Sequence, residues 1–141
     1  MTPSRRTLAR ETVLQTLYAC EHGELEPQQA FESIAEIEQF DEYDLEFAKT
    51  LLSRVVAHSG EADEHISRLA QNWVLERIAA IDRSILRMAI IELTYIPDTP
   101  VKVVINEAIE LAKRFSTVES SKFVNGILDS FIKSRDAQSA S

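Results

Sequence analysis

Apolar residues recur at three- and four-residue spacing along almost the whole chain, a pattern that predicts helices throughout. Ala9, Val13 and Leu17, with Leu14 and Tyr18 beside them, mark a first helix from about Ser4 to Glu21, and Gly23 is its stop. Pro27 suits the first turn of a second helix, with Ala30, Phe31, Ile34, Ala35 and Ile37 as its apolar positions. The acidic run Asp41-Glu-Tyr-Asp44 fits a third helix N-terminus, where negative charge meets the positive end of the dipole. Leu45, Ala48, Leu51, Leu52, Val55 and Val56 continue it until Gly60 interrupts, and Ile66, Leu69 and Ala70 carry a further helix.

A short segment around Trp73 to Ile78 leads to Asp82, a candidate cap for the stripe Ile85, Leu86, Ala89, Ile90 and Leu93, which ends near Tyr95. Pro97-Asp-Thr-Pro100 is a turn, with Thr99 as cap and Pro100 as first residue of the next helix. Val101 to Ile105 would pass for a strand, but Val104, Ala108, Leu111 and Phe115 hold helical register and absorb it. Ser116-Thr117 breaks the pattern, and a last helix turns Val124, Ile127, Leu128 and Phe131 inward. Gly126 within it predicts a close helix–helix approach, and residues 134–141 read as a frayed, flexible polar tail. The expected fold is all-α: a compact bundle of about seven helices in two packed helical subdomains, roughly 1–72 and 73–133, forming one domain.

Three glycines and four prolines are too few for the turns of an all-β fold. No apolar run could span a membrane or serve as a signal peptide, and the single Cys20 cannot form an internal disulfide, so a reducing cytoplasm is the simplest setting. The net charge of −8 argues at first against a polyanionic partner, but its distribution weakens that objection. Residues 1–20 carry three arginines against one glutamate, a net of +2. Residues 21–64 set two basic groups against thirteen acidic ones, −11, and residues 65–141 set ten against nine, +1. The acidity therefore sits in the second quarter, and the two ends could build a binding surface.

Catalytic motifs are missing. His22, His58 and His65 have no cysteine partner and no HExxH spacing, so no metal site is expected, and no cofactor. There is no Gly-rich phosphate loop and no nucleophile with a local base, which points away from an enzyme.

Two stretches carry more than packing requires. Arg6 and Arg10 lie one helical turn apart with Arg5 adjacent, and Gln15 and Tyr18 follow on the same helix. Arginine at a helix start is unfavourable for the dipole, so helix stability alone would not choose it. Its guanidinium can bind phosphate in a bidentate way or stack on a base, although a solvated first turn would look the same. Near the other end, Lys113, Arg114, Phe115, Lys122 and Phe123 flank the last break. Cations beside aromatics suit single-stranded nucleic acid, while phenylalanines at helical spacing are more often core.

The blocks Arg5-Arg6…Ala9-Arg10-Glu11…Gln15…Leu17-Tyr18, Ile85-Leu86-Arg87…Glu92-Leu93 and Ile105-Asn-Glu-Ala-Ile-Glu-Leu-Ala-Lys113 resemble the NusB family of bacterial transcription antitermination factors. Lys122-Phe-Val-Asn-Gly-Ile-Leu-Asp129 is the most specific of them, and the likeness spans residues 5–129. The resemblance implies a non-catalytic adaptor that binds boxA RNA of nascent ribosomal transcripts. Its partner would be NusE, a small-subunit ribosomal protein, within an antitermination complex of RNA polymerase. Carried over by position, the RNA contacts would be Arg5, Arg6, Arg10, Gln15 and Tyr18, with Phe115, Glu119, Lys122 and Phe123 forming half of an RNA groove. Asp82, on a different surface, would face NusE. Thr7 stands where many relatives have another arginine, and Ser116 where a glycine often follows the phenylalanine; the first change implies weaker RNA binding alone and reliance on the partner. Relatives can be monomers or dimers, and a homodimer covering the first helix would compete with RNA. Two further readings remain: the RNA-binding part of a ribosomal RNA cytosine methyltransferase, and a helical protein-interaction module without RNA.

Overall fold

The computed structural model describes residues 4–23, 25–70 and 77–140. They form six helices and no strand: α1 (Arg5–His22), α2 (Pro27–Glu38), α3 (Glu42–Leu69), α4 (Ala80–Tyr95), α5 (Val101–Phe115) and α6 (Val118–Ala140). They divide into two compact units, Met1–Ala57 and His58–Ser141. That division falls at a kink, where His58 leaves helical geometry at φ −120° and ψ 21°. The expected break near Gly60 falls two residues earlier, at His58, and the two expected helices run on from one another across that kink. Of the segment around Trp73, residues 71–76 lie outside the described residues.

In the first unit α1 packs on α2. Ser4 caps α1, its Oγ accepting the Thr7 N–H at 3.0 Å, while the two hydroxyls meet at 2.8 Å. Thr12 and Thr16 are buried, and each donates its hydroxyl to a carbonyl one turn back, so no polar group is stranded. Pro27 opens α2, and Phe31, Ala30 and Ala35 are its buried face. Ile37 is 80% exposed, contrary to expectation, because it lies about 200° round the helix from Ala35 and leaves the stripe. The chain then turns at Gln39, which closes α2 in the left-handed region at φ 50°. Asp41 caps α3 by accepting the Asp44 N–H at 2.8 Å. Phe47, Ala48, Leu51, Leu52 and Val55 are buried, whereas Val56 is exposed.

The second unit holds the rest of α3 with α4, α5 and α6. Ile66, Ile85, Leu86, Ile90, Ile91, Val104, Leu111, Val124 and Leu128 make its core. Polar ties surround that core. Arg87 grips Asp63 through two N–H donors at 2.6 and 3.0 Å, and Tyr95 donates its hydroxyl to Glu61 while its ring stacks on His58 at 4.1 Å. Arg135 donates to the Leu93 carbonyl at 3.0 Å, and α6 remains helical past residue 134 to Ala140. Asp82 does not cap α4: the N-cap is Ala79, with no side-chain bond, and Asp82 lies in the first turn. Thr99 likewise gives way to Pro100 as the N-cap of α5.

Gly126 does not mark a close approach. It is exposed, and a Cβ built there would have nothing within 4 Å. Gly126→Ala should therefore stabilise the protein by roughly 0.5–1 kcal/mol, read as a higher midpoint in urea. His65 meets Phe131 edge-on at 5.0 Å. Desolvation, then the neighbouring Arg68, lowers its pKa below the usual 6.5. A depressed pKa means the unfolded chain binds the proton better. The stabilisation is thus complete above pH 6.5 and is lost as pH falls through the folded pKa. An NMR titration should find the His65 midpoint below 6.5, and His65→Gln should flatten the fall in melting temperature on acidification.

Candidate nucleic-acid interface

Among the described residues, each unit carries a patch of cations and aromatic rings. In the first unit the basic groups come from the start of α1 and the rings from the α2–α3 junction. Arg5 Nη2 donates to the Glu38 and Gln39 carbonyls at 3.1 and 3.4 Å, and its guanidinium carbon stands 5.0 Å from the Phe40 ring centre. It thereby satisfies carbonyls at the end of α2, where a cation also suits the dipole. Arg6 lies over Phe47 at 3.9 Å and Tyr43 at 4.8 Å, and pairs with Asp44 at 3.6 Å. Tyr43 and Phe47 share a face one turn apart on α3, and Tyr43 is 74% exposed.

Arg10 differs from the expectation of a surface cation. It is only 3% exposed, with its guanidinium 5.1 Å from the Phe47 ring centre. An arginine whose plane rests on a ring can be buried at lower cost than a lysine, because its charge is spread and weakly hydrated. Gln15 is exposed, and Tyr18, also exposed, tilts against His22 with ring centres 4.2 Å apart. Thr7 supports the Ser4 cap, which accounts for a hydroxyl at that position.

In the second unit the patch is the α5–α6 turn. Lys113, Arg114 and Lys122 are exposed, and Phe115 and Phe123 are half-buried. Lys113 pairs with Glu110 at 3.5 Å and Lys122 with Glu119 at 3.3 Å, both on exposed faces where such pairs are weak and readily exchanged for phosphate. Beneath the turn lies a hydroxyl network that the sequence reading missed. Ser116 and Thr117 donate to Ser120 Oγ at 2.9 and 3.0 Å, and Ser120 Oγ donates to Asp82 Oδ2 at 2.9 Å. Thr117 Oγ1 also accepts the Ser120 N–H at 2.9 Å, capping α6. The only sequence signal was the density of hydroxyls between 116 and 121, and nothing in it pointed to Asp82 as their anchor. Ser116, the departure from glycine, is one of these donors.

Asp82 therefore lies under the α5–α6 turn. It is 6% exposed, bonded to Ser120, and lines a cleft of about 200 Å³ with Arg77, Ile78, Ala79, Glu119 and Phe123. It belongs with the turn residues rather than on a different surface. Cys20 is half-buried, and burial followed by the Glu26 charge raises its thiol pKa, which disfavours the thiolate. Among the described residues no helix is long and apolar enough to cross a membrane.

The fold and these patches define an all-α protein with cations set against aromatic rings in both of its units. Residues 7–133 match the NusB family, and the chain belongs to that family. It is 45% identical over 132 residues to the transcription antitermination protein NusB of Elusimicrobium minutum, covering 92% of this chain and 94% of that protein. NusB of T. maritima superposes with a TM-score of 0.84 at 36% identity, over 94% of this chain and 93% of that one. A chain from a crystal structure of the antitermination factors NusB and NusE with double-stranded RNA superposes with a TM-score of 0.85 at 26% identity, over 92% and 97%.

Ser120→Ala removes the donor to Asp82 and the acceptor of two hydroxyls at once. It should destabilise the protein by about 1–3 kcal/mol, measured by urea unfolding, whereas Lys122→Ala should leave stability within about 0.5 kcal/mol.

Proposed function

We propose that this protein is a transcription antitermination factor: a non-catalytic adaptor that binds boxA RNA of nascent ribosomal transcripts together with NusE and promotes read-through by RNA polymerase. The observation that carries the reading is the α5–α6 turn, where three exposed cations surround two half-buried phenylalanines over a network that holds them in position. Phosphates find charge there and unstacked bases find rings. Kinship with NusB proteins, one of them solved with NusE and double-stranded RNA, supports the same partners.

Within this reading Arg6, Gln15, Tyr18, Phe115, Glu119, Lys122 and Phe123 touch RNA. Arg5 and Arg10 are positioning residues: Arg5 ties α1 to the end of α2, and Arg10 holds Phe47 under Arg6. The methyltransferase alternative gains no support, since this chain covers 94% of its NusB relative from Elusimicrobium.

Binding of labelled single-stranded boxA RNA, titrated across salt concentrations with and without NusE, tests the proposal. The protein alone should bind modestly and NusE should tighten it. Lys122→Ala and Arg6→Ala should each weaken binding and shallow the logarithmic salt slope by about one unit, while Lys133→Ala should change neither. Nanomolar binding without NusE and no gain on adding it would contradict dependence on the partner. Unchanged binding in both variants would remove the RNA surface.

A further inference from the structure

We propose that the first unit holds a nucleobase subsite on α3, where the ring of Tyr43 stacks against one unpaired RNA base beside the phosphate that Arg6 meets. The inference rests on the RNA-binding function proposed above and adds to it a contact away from the α5–α6 turn.

The ring itself motivates it. Tyr43 is 74% exposed, against 42% for Tyr18, and no other phenylalanine or tyrosine among the described residues is as open. Packing does not ask for a ring there. Phe47, one turn on, fills the buried position of that face at 8% exposure, and the Tyr43 hydroxyl makes no hydrogen bond among the described residues. Apolar side chains exposed singly are ordinary on protein surfaces and by themselves point to nothing. Tyr43 is not single. Arg6 is set against it, with its guanidinium carbon 4.8 Å from the Tyr43 ring centre and 3.9 Å from that of Phe47. A ring that touches a guanidinium and is still largely in water offers open π surface next to a cation. One nucleotide uses both, its phosphate taking the cation and its base the ring.

The acids Asp41, Glu42 and Asp44 around the ring are the objection. Two of them are engaged within the protein: Asp44 is 7% exposed and lies 3.6 Å from Arg6 Nε, and Asp41 caps α3 by accepting the Asp44 N–H at 2.8 Å. Glu42 is exposed and repels a phosphate anywhere but at Arg6, whereas a neutral base escapes that repulsion. The acids thus leave stacking as the contact that the start of α3 can make. Stacking also sets the selectivity. Every base has a π face, so the subsite tolerates any sequence, but a base inside a duplex has its faces covered by its neighbours. The subsite therefore takes single-stranded RNA and gains nothing from a duplex.

The test titrates the full chain, with NusE present, against single-stranded boxA RNA across salt concentrations. Tyr43→Ala should weaken binding about tenfold and leave the logarithmic salt slope unchanged, because a stacked base releases no counterion. At so exposed a position the substitution does not endanger folding. Tyr43→Phe should bind as the parent does, and Tyr43→Leu, apolar but not flat, should fall nearly as far as the alanine variant. On the same RNA annealed to its complement, parent and Tyr43→Ala should bind alike. The proposal is overturned if Tyr43→Ala binds single strands as tightly as the parent, if leucine serves as well as phenylalanine, or if the loss is equal on the duplex. A slope shallower by about one unit in Tyr43→Ala would also overturn it, by making the ring only a support for Arg6. So would weaker NusE binding in the absence of RNA, which would give the ring to a protein partner. Absence of all RNA binding by the parent, with or without NusE, would overturn the functional reading itself, an outcome distinct from indifference to Tyr43 alone.

Discussion

The hydrogen bond from Ser120 to Asp82 is the constraint on which the second patch depends. An α5–α6 turn built from Ser116, Thr117 and Ser120 has no apolar side chain to anchor it, and short polar turns left to solvent sample many conformations. Here two hydroxyls converge on the Ser120 oxygen, which donates its own proton to a carboxylate on α4. Linked donors and acceptors polarise one another in a poorly solvated site, so the network resists piecemeal opening. Lys122 and Phe123 follow directly in the helix that this network starts, and their positions derive from it.

The first unit solves a different problem with the same ingredients. Its sequence between α1 and α3 is strongly acidic, yet its arginines do not simply cancel that charge in surface pairs. They lie on rings: Arg5 by Phe40, Arg6 by Tyr43 and Phe47, Arg10 by Phe47. Cation–π contacts hold a guanidinium in place without consuming its N–H donors. The net charge of −8 is therefore a poor guide to what a polyanion meets at close range.

Much of this was legible in the sequence. The helices from Ala80 to Phe115 and the inward set Val124, Ile127, Leu128 and Phe131 follow from periodicity, because a buried stripe leaves few choices. Periodicity failed where a cause was not local. The kink at His58 accompanies a ring from α4, Tyr95, which no window around residue 58 contains. Gly126 looked like a packing residue and is exposed. The candidate site followed the same rule. Types and rough places of residues could be read, but burial of Arg10 and anchoring by Asp82 depend on partners thirty-seven and thirty-eight positions away in the sequence.

Arg6 illustrates what such a setting does to a familiar side chain. A free guanidinium has two faces and an edge, and can either stack or donate. Its carbon stands 3.9 Å from one ring centre and 4.8 Å from another, and its Nε lies 3.6 Å from Asp44, so the side chain is already held within the protein. What such a held group offers is its planar fork of N–H donors, which meets a phosphate best along its own plane. The residue thus behaves less as a charge than as an oriented jaw. Lysine at the same position would preserve the electrostatics and lose the angle of approach.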